Sequence, residues 1–243
     1  MSKAGKLTQE AIGFHNANIA AAQTRLVQGS SYKDVSTICV VPTRGMISAK
    51  VVQYWMGMMS PMNKKFMRIF MSGLEVGEAY EQAVDQILAH PDLSKWKYIL
   101  TLEEDNCPPP DGLLKLIESI EMHKLDAVGG LYWTKGEGGQ PMIYGNPGEM
   151  PRNFIPQVPI QNAVQPCNGL GMGFTLFRMD MFKSGKIARP FFKTVQEYKP
   201  YVGGSTFTQD LFFFNKACDQ GFKFASDNRV LVGHYDAPND FMW

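Results

Sequence analysis

Apolar and polar positions along the first half of the chain follow two alternating periods. Short runs rich in apolar and β-branched residues predict buried strands. These strands are 36–41, 66–71, 97–102 and 126–131. Between them, apolar residues recur at helical spacing, which predicts helices over 47–58, 76–88 and 111–120. A β-α-β-α-β-α-β order predicts a mainly parallel sheet with helices on both faces.

The second half of the chain has fewer periodic segments. Residues 134–168 and 185–206 are predicted to be loops. The elements predicted around them are a strand at 172–177, a short helix near Met179, a helix at 208–219, and two short strands at 222–225 and 229–232. We see no internal repeat. The sequence therefore predicts one domain over 36–243, preceded by an N-terminal helical appendage over 1–35.

Composition excludes several classes of protein. The formal net charge of +1 over 243 residues does not favour binding to nucleic acid or to membranes. The four cysteines are far apart and form no CxxC pair, which argues against a zinc site and a disulfide framework. The N-terminus lacks the apolar core of a signal peptide, and no stretch reaches the length of a membrane span. We therefore expect a soluble cytoplasmic protein.

Three consecutive acids, Glu103, Glu104 and Asp105, directly follow the predicted strand 97–102. Ligands of open α/β sheets bind beyond the carboxyl ends of strands. Three acids in this place repel one another unless a cation lies between them, and Mg²⁺ or Mn²⁺ binds carboxylate and phosphate oxygens together. Glu103 and Asp105 point to the same side of an extended segment. The alternative is an acidic turn that caps the next helix.

Two further residues are candidates for chemistry. Asp210 opens the apolar helix predicted at 208–219, where the helix dipole alone also favours an acid. His234 comes just after the predicted strand 229–232, and a lone histidine is more often structural than a ligand. Neither residue is decisive alone.

Taken in order, the motifs resemble those of GT-A-fold, family-2-like glycosyltransferases, and most of all their small single-domain members in bacteria and tailed phages. The motifs are Val41-Pro42-Thr43-Arg44, Leu102-Glu103-Glu104-Asp105-Asn106, Asn168-Gly169-Leu170-Gly171-Met172-Gly173, Thr208-Gln209-Asp210 and Val232-Gly233-His234. They span residues 36–236. Two positions depart from the family pattern: Glu103 replaces the first Asp of the D-x-D metal motif, and Gln209 replaces a Glu.

The resemblance implies a GT-A-like α/β fold with a nucleotide-binding N-terminal half and an acceptor-binding C-terminal half. It implies a nucleotide-sugar site formed by Pro42, Thr43, Arg44, Ser72, Gly73 and Glu104. It further implies that Asp105, with Glu103 and His234, holds Mn²⁺ or Mg²⁺ on the diphosphate of a UDP- or GDP-sugar. Asp210 would be the catalytic base of an inverting transfer to an acceptor hydroxyl.

Several alternatives stay open at this point. A nucleotidyltransferase also places carboxylates beyond a parallel sheet, and an inactive relative would only bind nucleotide or glycan. The acceptor is a glycan, a protein, a lipid-linked precursor or a modified base in phage DNA. Residues 132–140 form either a mobile lid, with Tyr132 or Trp133 stacking on a sugar, or a plain flexible connection.

Overall fold

The computed structural model describes residues 34–60, 65–199, 201 and 203–243. The predicted appendage over 1–35 lies outside these residues except for its last two positions. The strands are β1 Thr37–Thr43, β2 Phe66–Ser72, β3 Tyr98–Leu102, β4 Asn106–Cys107, β5 Ala127–Leu131, β6 Ile143–Tyr144, β7 Val164–Cys167, β8 Gly169–Leu170, β9 Phe174–Arg178, β10 Val195–Lys199, β11 Gly203–Phe207, β12 Phe224–Leu231, β13 Gly233–Asp236 and β14 Phe241–Met242. The helices are α1 Ala49–Gly57, α2 Val76–Ala89, α3 Gly112–Met122, α4 Met179–Lys183 and α5 Gln209–Asp219.

Seven strands form the central sheet in the order β2-β1-β3-β9-β5-β12-β7. The pairs β1–β2, β1–β3 and β5–β12 are parallel. Strand β9 runs antiparallel to both β3 and β5, and β7 runs antiparallel to β12. Five of the seven strands therefore point the same way, and the predicted mainly parallel sheet is confirmed.

The two faces of the sheet each bury a separate apolar cluster. In β1, Ile38 and Val40 pack in the cluster that includes residues of α2, α4 and α5. The alternate residues Cys39 and Val41 pack in the other cluster, with residues of α1 and α3. This alternation follows from the two-residue period of a strand and explains why β1 is apolar throughout. Helices on both faces are thus confirmed.

Strand β12 corrects the prediction of two short strands at 222–225 and 229–232. It is one strand from Phe224 to Leu231, with a register shift after Asp227. The polar residues in the middle of β12 are buried, and hydrogen bonds make this burial possible. Asp227 accepts from Ser119 Oγ at 2.6 Å and from Arg229 Nη2 at 2.8 Å. Satisfied polar groups are tolerated in a core, so a polar run does not end this strand.

Three further predictions about elements are wrong. The segment 134–168, predicted to be a loop, contains β6 and β7, and β7 forms an edge of the central sheet. The segment 185–206, predicted to be a loop, contains strand β10 and most of β11, which pair as an antiparallel hairpin just before α5. His234 does not merely follow the last strand, because it lies inside β13, opposite Asn106 of β4.

None of the helices in the described part of the chain combines the length and apolar character needed to cross a membrane. All four cysteines are free thiols.

Candidate active site

The carboxyl ends of β1, β2 and β3 lie side by side, and they bring together the six residues predicted to bind the nucleotide sugar. The Glu104 carboxylate accepts hydrogen bonds from Thr43 Oγ1 at 2.7 Å and from the Arg44 backbone N–H at 2.9 Å. Arg44 Nε donates to its other oxygen at 2.5 Å. Burial raises the pKa of Glu104, but these hydrogen bonds outweigh it and bring the pKa below its ordinary value.

The β2 side of this edge is formed by Ser72 and Gly73. Ser72 is in register with Thr43, Pro42 is buried one position earlier, and the Gly73 N–H donates to the Thr43 carbonyl at 3.3 Å. Gly73 has a positive φ of 79°, which suits glycine in the turn that leaves the strand. The Arg44 side chain is 87% exposed, so most of its guanidinium faces solvent at the open edge.

Glu103 lies between two other carboxylates. Burial, and after it the negative charges of Asp105 and Asp210, raise the pKa of Glu103 to about 8, although the Tyr80 hydroxyl hydrogen-bonds to it. A carboxyl group with this pKa is mostly protonated at neutral pH. Asp105 is therefore the better cation ligand of the two.

Asp105 is held as a carboxylate by two basic side chains. Its Oδ2 lies 2.5 Å from Lys135 Nζ and 3.5 Å from His234 Nε2. Burial raises the pKa of Asp105, but the hydrogen bonds and charges of His234 and Lys135 outweigh it and bring the pKa down to about 2. The carboxylate thus carries a full negative charge at the mouth of the site.

The His234 ring is oriented by the loop that follows β5. Its Nδ1 lies 2.7 Å from the Trp133 carbonyl oxygen, and the Tyr132 ring packs edge-on against it at a centroid distance of 5.5 Å. Because a carbonyl oxygen can only accept, Nδ1 donates to it, and this contact turns Nε2 toward Asp105. Metal-binding histidines are commonly fixed in this way by a backbone carbonyl.

The donor chemistry at Asp105 and His234 fits a divalent cation. A carboxylate oxygen and an imidazole nitrogen suit Mn²⁺, and Mg²⁺ prefers oxygen donors. Both amide atoms of Asn106, next to Asp105 and across from His234, are buried with no hydrogen-bond partner among the described residues. However, the described residues contain no group of three His, Cys, Asp or Glu side chains arranged to hold a metal, so the predicted set with Glu103 is not gathered into one cluster.

Asp210 is buried at the first turn of α5 and is only 4% exposed. The Thr208 hydroxyl and the Leu211 backbone N–H, the latter at 2.8 Å, both donate to its Oδ1. Burial raises the pKa of Asp210, and these hydrogen bonds oppose the rise. Its charge also contributes to the raised pKa of Glu103, which puts the two carboxyl groups within electrostatic range of each other.

Three residues near this site have a role in the structure that was not predicted from the sequence. Lys135 was placed only in a possible lid, and its contact with Asp105 bridges 30 residues. Thr208 appeared only as part of a motif. Tyr132, a candidate for sugar stacking, is 1% exposed and uses its hydroxyl to accept from the Gly173 N–H at 2.8 Å, so its ring offers no face to a sugar.

The fold has a counterpart among solved structures. The crystal structure of A197 from STIV matches with a TM-score of 0.59 at 18% sequence identity, covering 86% of this chain and 93% of that one. The chain has a GT-A-like fold. No family model and no curated protein matches the sequence.

A second solved structure is less similar. S. aureus TarS 1–349 matches at 13% identity with a TM-score of 0.45, covering 81% of this chain and 60% of that one. Its complex with UDP-GlcNAc matches at 12% identity with a TM-score of 0.40, covering 79% and 58%. The chain therefore spans about three fifths of the 1–349 segment and 38% of the longer TarS chain, and the likeness is too distant to support a conclusion about the site.

Proposed function

We propose that the protein is a glycosyltransferase that moves a sugar from a UDP- or GDP-sugar to an acceptor hydroxyl with inversion. The observation that carries the proposal is the different setting of two carboxylates: Asp105 Oδ2 lies 2.5 Å from Lys135 Nζ and 3.5 Å from His234 Nε2, whereas Asp210 is buried at the first turn of α5. The pKa of Asp105 is lowered to about 2, whereas burial raises the pKa of Asp210. Two acids pushed apart in this way suit two different roles, a permanent anion and a proton acceptor.

The nucleotide would lie along the edge formed by β1, β2 and β3. Thr43 and Glu104 fix the strand ends there. Glu104 also holds Arg44 Nε, and the exposed remainder of the guanidinium would approach a phosphate or a base edge. Asp105 and His234 would hold Mn²⁺ or Mg²⁺. When bound, that cation would offset the charge that develops on the leaving diphosphate.

Asp210 would accept the proton of the acceptor hydroxyl as that oxygen attacks the anomeric carbon. A base is most effective when its pKa approaches the working pH, and burial shifts the pKa of Asp210 in that direction. The hydrogen bonds from Thr208 and Leu211 fix Oδ1, which leaves Oδ2 for the acceptor. A single displacement with one base inverts the anomeric configuration.

The test is a panel of UDP- and GDP-sugars incubated with Mn²⁺, with release of nucleoside diphosphate as the readout and water or added glycans as acceptors. We expect release from at least one donor and none from the Asp105→Ala variant. A nucleotidyltransferase would instead form pyrophosphate from a nucleoside triphosphate and a sugar phosphate. An inactive relative would bind a nucleotide without releasing product. Either result would overturn the proposal.

A further inference from the structure

The carboxylate proposed to bind a divalent cation already has a cation from the chain itself. Lys135 Nζ lies 2.5 Å from Asp105 Oδ2, the same oxygen that faces His234 Nε2. The Lys135 side chain is 31% exposed and the Asp105 side chain 25% exposed, so this ion pair lies at the mouth of the site. The ammonium therefore already occupies the carboxylate oxygen that a cation bound by Asp105 and His234 would use.

Lys135 is carried by a loop that hydrogen bonds close at its base and at its tip. At the base of residues 132–141, the Thr134 N–H donates to the Gln140 carbonyl at 2.9 Å. At the tip, the Gly139 N–H donates to the Gly136 carbonyl at 3.1 Å, in a turn where Gly136 has a positive φ of 101°. The loop backbone is thus held in place, and the long Lys135 side chain can change partner through its own torsion angles.

We propose that Lys135 has two anionic partners in turn: Asp105 in the cation-free protein, and the donor's diphosphate once a divalent cation is bound at Asp105. This inference rests on the proposed function, because the diphosphate is that of a nucleotide sugar. A divalent cation at Asp105 repels the ammonium at short range. A diphosphate on that cation offers the displaced ammonium a new anion close by, and lysine binds phosphate as a mobile point charge.

The alternative is an ion pair that only fixes the loop. The two ideas predict different effects of removing the lysine side chain. A fixed structural pair would change the stability of the loop when it is removed. A lysine that changes partner competes with the cation but assists the nucleotide, so its removal must change the two affinities in opposite directions.

The test uses Lys135→Gln in the full chain and calorimetric titration with Mn²⁺ alone, then with UDP and with GDP at saturating Mn²⁺. Loss of a competing, partly exposed ion pair should tighten Mn²⁺ binding by roughly two- to fivefold. Loss of a charge-assisted hydrogen bond should weaken binding of the nucleoside diphosphate by roughly tenfold. Lys183→Gln is the matched control, since Lys183 is exposed on α4, beyond the opposite ends of the parallel strands.

Opposite changes in the two affinities for Lys135→Gln, and none for Lys183→Gln, support the proposal. It is overturned by unchanged or weaker Mn²⁺ binding, by unchanged nucleoside diphosphate binding, or by equal effects of both variants. The proposal is also overturned if neither the native protein nor either variant binds Mn²⁺. Sugar transfer, measured on the same samples, decides the proposed function independently.

Discussion

The three acids around the candidate active site differ because their neighbours differ. Asp105 faces Lys135 and His234, and its pKa falls to about 2. Burial, and after it the charges of Asp105 and Asp210, raise the pKa of Glu103 to about 8. Asp210 is buried next to backbone and hydroxyl donors, and burial raises its pKa more than these hydrogen bonds lower it. Sequence spacing cannot give these differences, since they depend on which distant residues fold against each acid.

Asp210→Asn should nearly abolish sugar transfer. The amide keeps the size of the side chain but cannot take a proton, so we expect a loss of roughly 10²–10⁴-fold in kcat, the usual scale for general-base catalysis. Donor affinity should change little, because the carboxylate is assigned to the acceptor side. Transfer rate and donor affinity are measured on the same variant. Asp219→Asn removes a partly exposed charge from the same helix and serves as control. A near-normal transfer rate would exclude Asp210 as the base.

The same substitution should change how stability depends on pH. Because the folded-state pKa of Asp210 is raised, the folded protein favours the neutral form, and native stability falls as pH rises from the unfolded-state value of about 3.9 through the raised pKa. Asp210→Asn has no such loss. We expect urea unfolding to find the variant more stable relative to the native protein at pH 7 than at pH 4. A difference that does not depend on pH would contradict the burial argument.

The roles of the site residues stay predictions, but their placement shows what a sequence can indicate. Asp105, Asp210 and His234 were singled out because each follows or opens an element at the ligand-binding edge. The structure brings Asp105 and His234 into contact, and it places Asp210 within electrostatic range of Glu103. Lys135 carried no comparable signal. It sits in a glycine-rich loop, and only the packing of that loop over Asp105 makes it part of the site.

Among the elements, local periodicity predicted β1, β2 and β3 and the helices between them well. It gave no sign that β9 enters the sheet antiparallel between β3 and β5. A largely apolar strand such as Phe174–Arg178 is buried on both faces in either orientation. The hydrophobic pattern therefore does not indicate whether it runs parallel or antiparallel to its neighbours. The hairpin of β10 and β11 was missed because Val195–Lys199 and Gly203–Phe207 contain few apolar residues and show no clear strand period.

The segment that leads into β9 requires a glycine at position 173. A Cβ there would lie 2.6 Å from both amide atoms of the buried Asn106 side chain. Gly173→Ala should therefore cost about 1–3 kcal/mol in the free energy of unfolding, the usual range for overpacking. Because the Gly173 N–H also holds the Tyr132 hydroxyl, sugar transfer should fall as well. Urea unfolding and kinetics measure the two effects.

Gly148→Ala is the matched control for Gly173→Ala. A Cβ at Gly148 would come no closer than 3.4 Å to its nearest neighbour, the Asn146 carboxamide oxygen. We expect its free energy of unfolding to stay within about 0.5 kcal/mol of the native value, as for most surface substitutions. Equal stability of the two variants would mean that Asn106 moves aside freely, and that the contact with Gly173 places no constraint on the site.

At the scale of the whole molecule, the site is assembled from distant parts of the chain. Asp105 follows β3, His234 lies in β13, and Lys135 and Trp133 belong to the loop after β5. The backbone N–H of Tyr235 donates to the Asp105 carbonyl at 2.8 Å, which joins β13 to the acidic segment. A cation held by both Asp105 and His234 would therefore link the C-terminal strands to the central sheet. Cation binding should therefore make the folded protein more stable, and a thermal unfolding experiment can measure this.

We expect Mn²⁺ to raise the melting temperature of the chelator-treated protein. A ligand that binds only the folded state stabilises it by about 2.7 kcal/mol at a free concentration 100 times its Kd. In a chain of this size that corresponds to an increase of about 5–10 °C in Tm. Asp105→Ala should lose the increase, and His234→Ala should need a higher Mn²⁺ concentration to reach it. Asp92→Ala, which removes an exposed acid that pairs with Lys95 on the surface, should keep the full response. An equal response of Asp105→Ala and the native protein would place the Mn²⁺ elsewhere and remove Asp105 from the cation site.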